Sequence, residues 1–181
     1  ADGRSLSAAP GAQAMTHVQV TEESGEQYIA QRSPLVFDLD GGGVKTSPRR
    51  PLFDLDADGL REWISDLAPS NAVLLFDADG NGVSGEDGRE LFGDVSDIDG
   101  DGESDGHADG FAALEALLRR AVRERALPAE VSAARTLDAA ALAILESRYG
   151  LRMRVGGMGD RAVSLREAGV VAIALGQGPS R

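Results

Sequence analysis

The apolar residues of this chain follow two different patterns, and the change falls near residue 110. Before that point they form short runs that end in aspartate, at 34–38, 51–54 and 72–77. Short apolar runs bounded by glycine and aspartate are typical of strands. Residues 60–64, Leu-Arg-Glu-Trp-Ile, are predicted to form a return strand after the second run. We therefore predict short strands joined by acidic loops in this half.

After residue 110 the apolar spacing becomes helical. One face of the segment 111–127 carries apolar residues three and four positions apart, namely Phe111, Leu114, Leu117, Leu118, Ala121 and Val122. This spacing predicts an amphipathic helix that Pro128 ends.

Three further elements complete the second half. A helix is predicted at 139–149, because Asp138 can cap its N-terminus and Gly150 can close its C-terminus. Strands are predicted at 151–155, where polar and apolar residues alternate, and at 170–175, which is apolar throughout. Together these elements predict the α+β fold class, with small antiparallel strands and two main helices.

Residues 1–33 are predicted to form an N-terminal arm or β-ribbon ahead of a domain at 34–181. The segment 15–21 alternates like an edge strand, and 27–30 has the composition of a second short strand. His17 falls on the polar face of the first strand, so we predict that it is solvated.

The net charge of −12 is concentrated in one part of the chain. Residues 34–110 carry 19 acidic and five basic side chains, a local balance of −14, whereas the remaining residues balance at +2. An acidic segment of this kind argues against a nucleic-acid partner, which requires basic side chains. Clustered carboxylates are instead what sites for hard metal cations require.

The rest of the composition excludes several kinds of metal site and a membrane span. The chain has no cysteine, which excludes disulfides and thiolate metal sites, and its two histidines are too few for a histidine-rich zinc site. No apolar run approaches the roughly 20 residues of a membrane span. Lack of cysteine is compatible with export, because metal ions can replace disulfides as staples where calcium is about millimolar.

Four acidic loops follow the pattern D-x-D-x-[DN]-G or a close variant. We number them loop 1 (38–43), loop 2 (54–59), loop 3 (77–82) and loop 4 (97–102). Places 1, 3 and 5 put oxygen ligands on alternate residues, and glycine at place 6 lets the chain turn around one ion. Because Ca²⁺ takes about six to eight oxygens, we predict that these are EF-hand-like calcium loops.

The predicted ligands follow from the places in each loop. Those of loop 2 are Asp54, Asp56, Asp58 and the carbonyl of Leu60, with Glu62 at place 9. Those of loop 3 are Asp77, Asp79, Asn81 and the carbonyl of Val83, completed by Glu86 or by Glu90 from a helical turn. Those of loop 4 are Asp97, Asp99, Asp101, the carbonyl of Glu103, Asp105 and Asp109. Loop 1 keeps only Asp38 and Asp40.

An enzyme is the alternative that the sequence leaves open. Residues 36–41 resemble the first motif of haloacid-dehalogenase-like, Mg²⁺-dependent phosphatases, which would make Asp38 the nucleophile. That chemistry also needs a distant lysine, whereas the single lysine here is Lys45. The alternating helix–strand pattern of a doubly wound sheet is missing as well.

The segment 34–175 resembles the calcium-binding domain of bacterial repeat-in-toxin-like (hemolysin-type) exported proteins. The matching phrases are at 34–41, 53–59, 74–82, 88–93, 109–114 and 165–175. The resemblance implies calcium at the acidic loops and a location that is secreted or at the cell surface. Some members of this family cleave themselves at an Asp-Pro bond, but Ser33 precedes Pro34 here, so we expect no self-cleavage.

The sequence therefore predicts a non-catalytic module that binds two to four calcium ions. Its expected partners are the calcium ions and either a protein partner or the rest of a larger exported assembly.

Overall fold

The computed structural model describes residues 4–8, 18–21, 27–30, 34–134, 136–156 and 161–175, and the predicted solvation of His17 therefore lies outside the described residues. The strands within these ranges are β1 (Arg4–Ala8), β2 (Val18–Thr21), β3 (Gln27–Ala30), β4 (Val36–Asp38), β5 (Thr46–Ser47), β6 (Leu52–Phe53), β7 (Glu62–Ile64), β8 (Asp66–Leu67), β9 (Asn71–Leu75), β10 (Thr136–Leu137), β11 (Arg152–Val155) and β12 (Val170–Leu175). The helices are α1 (Gly110–Arg123), α2 (Glu130–Ala134) and α3 (Ala139–Tyr149), and a 3₁₀ turn covers Gly88–Glu90.

The described strands form small sheets, mostly antiparallel. β9 lies between β4 and β11 and is antiparallel to both. β3, β2, β7 and β6 form a second antiparallel sheet in that order, and β5 pairs with β8. β12 pairs in parallel with β1 and in antiparallel with β10. The structure therefore confirms the predicted α+β class with small antiparallel strands and two main helices.

Strands β4 and β9 lie between two apolar clusters. In β9, Ala72 and Leu74 pack into the larger cluster, which includes the helices, whereas Val73 and Leu75 pack into the smaller one. Successive side chains of a strand point to opposite faces, so a strand buried on both faces must be apolar without interruption. This is why the two segments appear in the sequence as continuous apolar runs. Their burial fixes the positions where loops 1 and 3 begin.

Loop 2 joins two strands of one hairpin. β6 and β7 pair antiparallel, with Leu52 opposite Trp63 and Phe53 opposite Glu62. The predicted strand–loop–strand unit is therefore present. The hairpin places Glu62 back beside the start of the loop, eight residues after Asp54.

Helix α1 buries the face that the sequence predicts but is shorter than predicted. Leu114, Leu117 and Leu118 are buried in the larger cluster. The helix ends at Arg123 rather than near residue 127, because Arg125 adopts a left-handed conformation with φ of +60°. The predicted end at Pro128 is therefore wrong by several residues.

Helix α3 has the predicted boundaries and caps. The carboxylate of Asp138 accepts a hydrogen bond from the Ala141 N–H at 2.9 Å, and Gly150 is left-handed at the C-terminal end. These are the residue types that satisfy the free backbone groups of helix ends. Among the described helices, none has the length and apolar character that a membrane crossing requires.

The described strands before residue 31 pair with later parts of the chain. β2 is antiparallel to both β3 and β7, and β1 is parallel to β12. The first of these pairings extends the sheet that carries loop 2. A division of the chain at residue 33 remains a prediction.

Candidate metal centres

All four acidic loops share one set of backbone hydrogen bonds. The carboxylate at place 1 accepts the N–H of place 6 in each loop, at 2.8 Å from Gly43, 2.9 Å from Gly59, 2.8 Å from Gly82 and 2.8 Å from Gly102. In all four loops the place-3 carboxylate also accepts the N–H of place 5. In loops 2, 3 and 4 the place-5 side chain accepts the N–H of place 7. These bonds, made over two to five residues, wrap each loop around its own oxygens.

The wrapping requires left-handed backbone at places 4 and 6. Place 6 is glycine in every loop, with φ between 88° and 92°. Place 4 is glycine in loops 1, 3 and 4, but loop 2 has Ala57 there with φ of 61°. A residue with a Cβ atom is strained in this region, at a cost of about 1–2 kcal/mol.

Replacing Ala57 by glycine is therefore expected to stabilise the protein. The free energy of unfolding should rise by about 0.5–1 kcal/mol, because relief of the strain exceeds the entropy that glycine adds to the unfolded chain. Urea denaturation measures this change. Gly80→Ala at the same place of loop 3 is the matched control and should lower the stability by about 1 kcal/mol. A shift of the same sign in both variants would contradict the argument.

Loop 2 forms a cluster of four carboxylates with the return strand. Oxygens of Asp54, Asp56, Asp58 and Glu62 all lie within 4.8 Å of one another. Glu62 is only 3% exposed, and one of its oxygens accepts the Leu55 N–H at 3.3 Å. The loop pattern puts Glu62 at place 9 without making it a predicted ligand, and the structure adds its carboxylate to the cluster. Glu62 and Ile64 are buried in the return strand whereas Trp63 is 40% exposed, so the two-residue period of the strand puts Glu62 on the inward face of the hairpin.

Loop 3 forms a cluster with a residue from outside the loop. Oxygens of Asp77, Asp79 and Glu90 lie within 4.8 Å of one another. Glu90 comes from the 3₁₀ turn and is 4% exposed. Its oxygens accept the N–H groups of Ala78 at 3.0 Å and Glu86 at 2.9 Å, which hold the carboxylate against the loop.

The other predicted side chains of loop 3 lie next to this cluster. The amide of Asn81 donates to Glu86 at 2.6 Å and to Asp79 at 3.2 Å, and its oxygen accepts the Val83 N–H at 2.8 Å. Of the two glutamates that the sequence offered, Glu90 is therefore the one that joins the aspartates.

Loop 4 brings together three of its predicted side chains. Asp97, Asp99 and Asp101 have oxygens within 4.8 Å of one another, and Asp97 is only 2% exposed. Asp105 and Asp109 lie outside this cluster. Asp105 accepts the Ile98 N–H at 2.6 Å and pairs with His107, at 3.4 Å between Nε2 and Oδ2.

Asp109 has a role in the helix that follows. It is the N-cap of α1 and accepts the Ala112 N–H at 2.9 Å. Its local hydrogen bond is therefore that of a helix cap, a role that the sequence prediction did not assign to it.

Loop 1 has the shared backbone bonds but no cluster. Asp38 and Asp40 do not form part of a group of three acidic or imidazole ligands among the described residues. The pKa of Asp38 is lowered, chiefly by the hydrogen bond from the Gly43 N–H. Loop 1 is thus stabilised as an anion by its own backbone.

The residues at place 7, predicted to offer carbonyl oxygens, expose their side chains. Leu60 is 67% exposed and Val83 is 52% exposed, and Glu103 of loop 4 is exposed as well. The N–H of each donates to the place-5 oxygen at 2.8 Å. Apolar side chains are tolerated at this place because the loop uses the backbone there.

Burial destabilises the ionised forms of two glutamates, Glu62 and Glu90. Removal from water raises the pKa of Glu62 to about 7, with contributions from the aspartates of loop 2 and against the hydrogen bond from the Leu55 N–H. Burial likewise raises the pKa of Glu90 to about 7, with contributions from Asp79 and Asp77, although two backbone N–H groups oppose the shift. Burial also raises the pKa of Asp54 and Asp97. Such clusters are stabilised by protons or by a cation.

The donor atoms of all three clusters fit a hard cation. They are carboxylate oxygens, with no nitrogen or sulfur ligand in the groups. Calcium and magnesium prefer such ligands, and zinc and copper prefer nitrogen or sulfur. Calcium accepts irregular coordination by about six to eight oxygens, whereas magnesium requires a nearly ideal octahedron.

Loops 2, 3 and 4 are joined to one another and to the helices. The Gly88 N–H donates to the Asp54 carbonyl at 2.8 Å, which links loop 2 to the turn that carries Glu90. The Asp77 N–H donates to the carbonyl of Tyr149 at the end of α3, also at 2.8 Å. Arg120 of α1 donates to the Ile98 carbonyl of loop 4 at 2.7 Å. The loops are therefore part of the packed structure.

Comparison with known families gives a match to part of the chain. A family model described as the SPM domain matches residues 35–119. The match covers the four loops and the first part of α1, slightly under half of the chain. No curated protein matches the sequence.

Proposed function

We propose that this protein is a calcium-binding structural or interaction module of an exported bacterial protein, without catalytic activity. The observation that carries the proposal is the recurrence of one loop conformation that gathers three or four carboxylates at each of three places. The burial of three carboxylates also supports the proposal, because a carboxylate shielded from water needs a compensating charge. These are the carboxylates of Glu62, Glu90 and Asp97.

Calcium acts in this proposal as a structural cofactor. The residues that would hold it are those of the three clusters, namely Asp54, Asp56, Asp58 and Glu62, then Asp77, Asp79 and Glu90, and then Asp97, Asp99 and Asp101. Three ions at these places, with loop 1 as a weaker fourth, agree with the two to four ions predicted from the sequence. Binding to the folded state alone would stabilise it in proportion to the logarithm of the calcium concentration.

The proposal includes folding that is coupled to export. The cytosol is low in calcium, so the repulsion among the clustered carboxylates would leave the loops unstable there. Outside the cell, where calcium is about millimolar, the ions would neutralise the clusters and let the loops pack on α1 and α3. The resemblance to domains of exported proteins supports this location.

The phosphatase alternative is less well supported. Its nucleophile would need to follow a strand of a parallel, doubly wound sheet. Asp38 instead ends β4, which pairs antiparallel with β9. Lys45 is close to Asp38 in sequence, so it does not supply the distant charge that the chemistry needs.

A calcium titration followed by thermal unfolding tests the proposal. For metal-stripped protein we expect the melting temperature to rise and to saturate at roughly 0.01–1 mM calcium, with a much weaker effect of magnesium. Unchanged melting with either ion would contradict the proposal. A rise with magnesium alone would favour the phosphatase.

A matched pair of variants assigns the effect to the clusters. Asp77→Asn and Asp38→Asn each replace a place-1 carboxylate that accepts the place-6 N–H of its loop. Only Asp77 belongs to a carboxylate cluster. Calorimetric titration should show the loss of about one strong calcium site in Asp77→Asn and no such loss in Asp38→Asn. An equal loss in both variants would place the ions outside the clusters.

A further inference from the structure

A cleft of about 550 Å³ with mainly polar walls lies beside loop 3. Loop 3 and Ser84 form one side, and the last turn of α3 and strand β11 form the other. Three arginines line it, namely Arg148, Arg152 and Arg154. Sites for small molecules commonly have volumes of about 300–1,000 Å³.

The arginines of the cleft use few of their donors. One terminal nitrogen of Arg152 donates to the carbonyls of Leu151 at 2.8 Å and Glu146 at 3.5 Å, and one of Arg154 donates to the Gly85 carbonyl at 2.8 Å. The Nε atom of Arg154 is buried and has no hydrogen-bond partner. Since a guanidinium has five N–H donors, these residues keep capacity for a ligand.

Other arginines of the chain are paired with carboxylates. Such ion pairs join Arg49 to Asp66, Arg89 to Asp87, Arg120 to Glu124 and Arg161 to Glu167. Within the ranges that the structure describes, the three arginines of the cleft have no carboxylate at ion-pair distance. A positive cluster of this kind is unexpected in a protein with a net charge of −12.

The two acidic residues in the cleft wall are engaged elsewhere. Glu146 accepts the Leu165 N–H at 2.8 Å, and Asp77 accepts backbone N–H groups of loop 3. Arg154 also lies in the field of Glu90, which opposes the lowering of the Arg154 pKa by burial. A dication at loop 3 would neutralise Asp77 and Glu90 and would leave the cleft more positive.

We propose that this cleft binds a small molecule through a phosphate, sulfate or carboxylate group, held by Arg148, Arg152 and Arg154, and that calcium at loop 3 tightens the binding. Guanidinium groups match the oxygens of such anions in pairs of parallel hydrogen bonds. The calcium dependence rests on the proposed function, whereas the oxyanion site itself does not.

Sulfate is a suitable probe, because it is doubly charged at neutral pH and precipitates calcium less readily than phosphate. We would titrate it into the full chain with and without calcium and follow the arginine Nε–H resonances by NMR, with sodium chloride at equal ionic strength as reference. Resonances of Arg152 and Arg154 should shift saturably, with a dissociation constant on the order of 1 mM. Calcium should lower that constant about fivefold or more.

Variants with equal changes in charge locate the site. Replacing Arg148 and Arg152 together by glutamine should weaken sulfate binding about tenfold or more. Arg119 and Arg166 are exposed and lie outside the cleft. Replacing them together by glutamine should change the dissociation constant of sulfate less than about twofold. Shifts no larger than those with sodium chloride, or equal losses in the two double variants, would overturn the oxyanion site.

Calorimetry on the same samples separates the two proposals. If calcium binds but leaves the sulfate affinity unchanged, the coupling is overturned. If calcium does not bind, the proposed function fails, and the sulfate titrations of the two double variants still decide the oxyanion site.

Discussion

Replacing Gly88 by alanine is expected to lower the free energy of unfolding by about 4 kcal/mol or more. A Cβ atom on Gly88 would overlap the carbonyl oxygen of Leu55 and lie 3.0 Å from a methyl group of Val95. Backbone atoms of a packed loop have little freedom to move away, so the overlap must displace one of the two segments. Domains of this size are stable by about 5–15 kcal/mol, and the variant would lose a large part of that.

The displacement would also affect the candidate metal centres. The Gly88 N–H donates to the Asp54 carbonyl, and the same turn delivers Glu90 to loop 3. Gly88→Ala therefore acts on two clusters at once. In any fraction of the variant that folds, we expect calcium affinity to fall at loops 2 and 3 together.

Gly42→Ala is the matched control for this variant. Neither Gly88 nor Gly42 has a positive φ, so alanine brings no backbone strain at either position. A Cβ atom on Gly42 would meet the ends of flexible side chains, Lys45 Nζ at 2.9 Å and Asp40 Oδ1 at 3.0 Å, which can move. Urea denaturation should show a change within about 1 kcal/mol. A similarly small change for Gly88→Ala would show that the two segments are not packed as described.

Metal-free protein is expected to be more stable at about pH 5.5 than at about pH 8. Burial raises the pKa of both Glu62 and Glu90 from 4.5 to about 7. A carboxyl with a raised pKa binds its proton more tightly in the folded state. Its contribution to stability is fully present below about pH 4.5 and is lost as the pH rises through about 7. Between about pH 5.5 and about pH 8 each glutamate should account for a loss of about 2 kcal/mol.

Chemical denaturation in the presence of a chelator, repeated over this pH range, measures the effect. Glu62→Gln should remove about half of the pH dependence, because the amide is neutral at every pH and its oxygen can still accept the single N–H of Leu55. Glu130→Gln removes an exposed carboxylate that belongs to none of the three clusters and should leave the slope unchanged. A metal-free protein whose stability does not depend on pH between about 5.5 and 8 would contradict the burial argument.

Calcium should reverse the sign of this dependence. Protons and calcium compete for the same carboxylates, so calcium-loaded protein should lose stability as the pH falls. The crossover follows from the proposed function. The metal-free slope follows from burial alone, so the two measurements test separate statements.

The features that the sequence determined are local ones. The hydrogen bonds that shape each loop join residues two to five positions apart, so the D-x-D-x-[DN]-G pattern by itself specifies which side chains converge. Helix α3 was predictable for the same reason, since Asp138 and Gly150 act on backbone groups within the adjacent turn. The apolar runs of β4 and β9 showed where the loops begin, because a strand buried on both faces carries apolar side chains on both.

The tertiary structure decided the features that depend on distant residues. The choice of Glu90 over Glu86 and the closing of the loop 2 cluster by Glu62 both follow from how the turn and the return strand pack against the loops. The early end of α1 at Arg123 likewise follows from a left-handed residue that the apolar pattern does not reveal. The arginine cleft is lined by residues between 77 and 162. Its two sides are far apart in the sequence, so no local pattern predicts the cleft. Local hydrogen bonds can be inferred from spacing, but contacts across the fold depend on the packing of both cores.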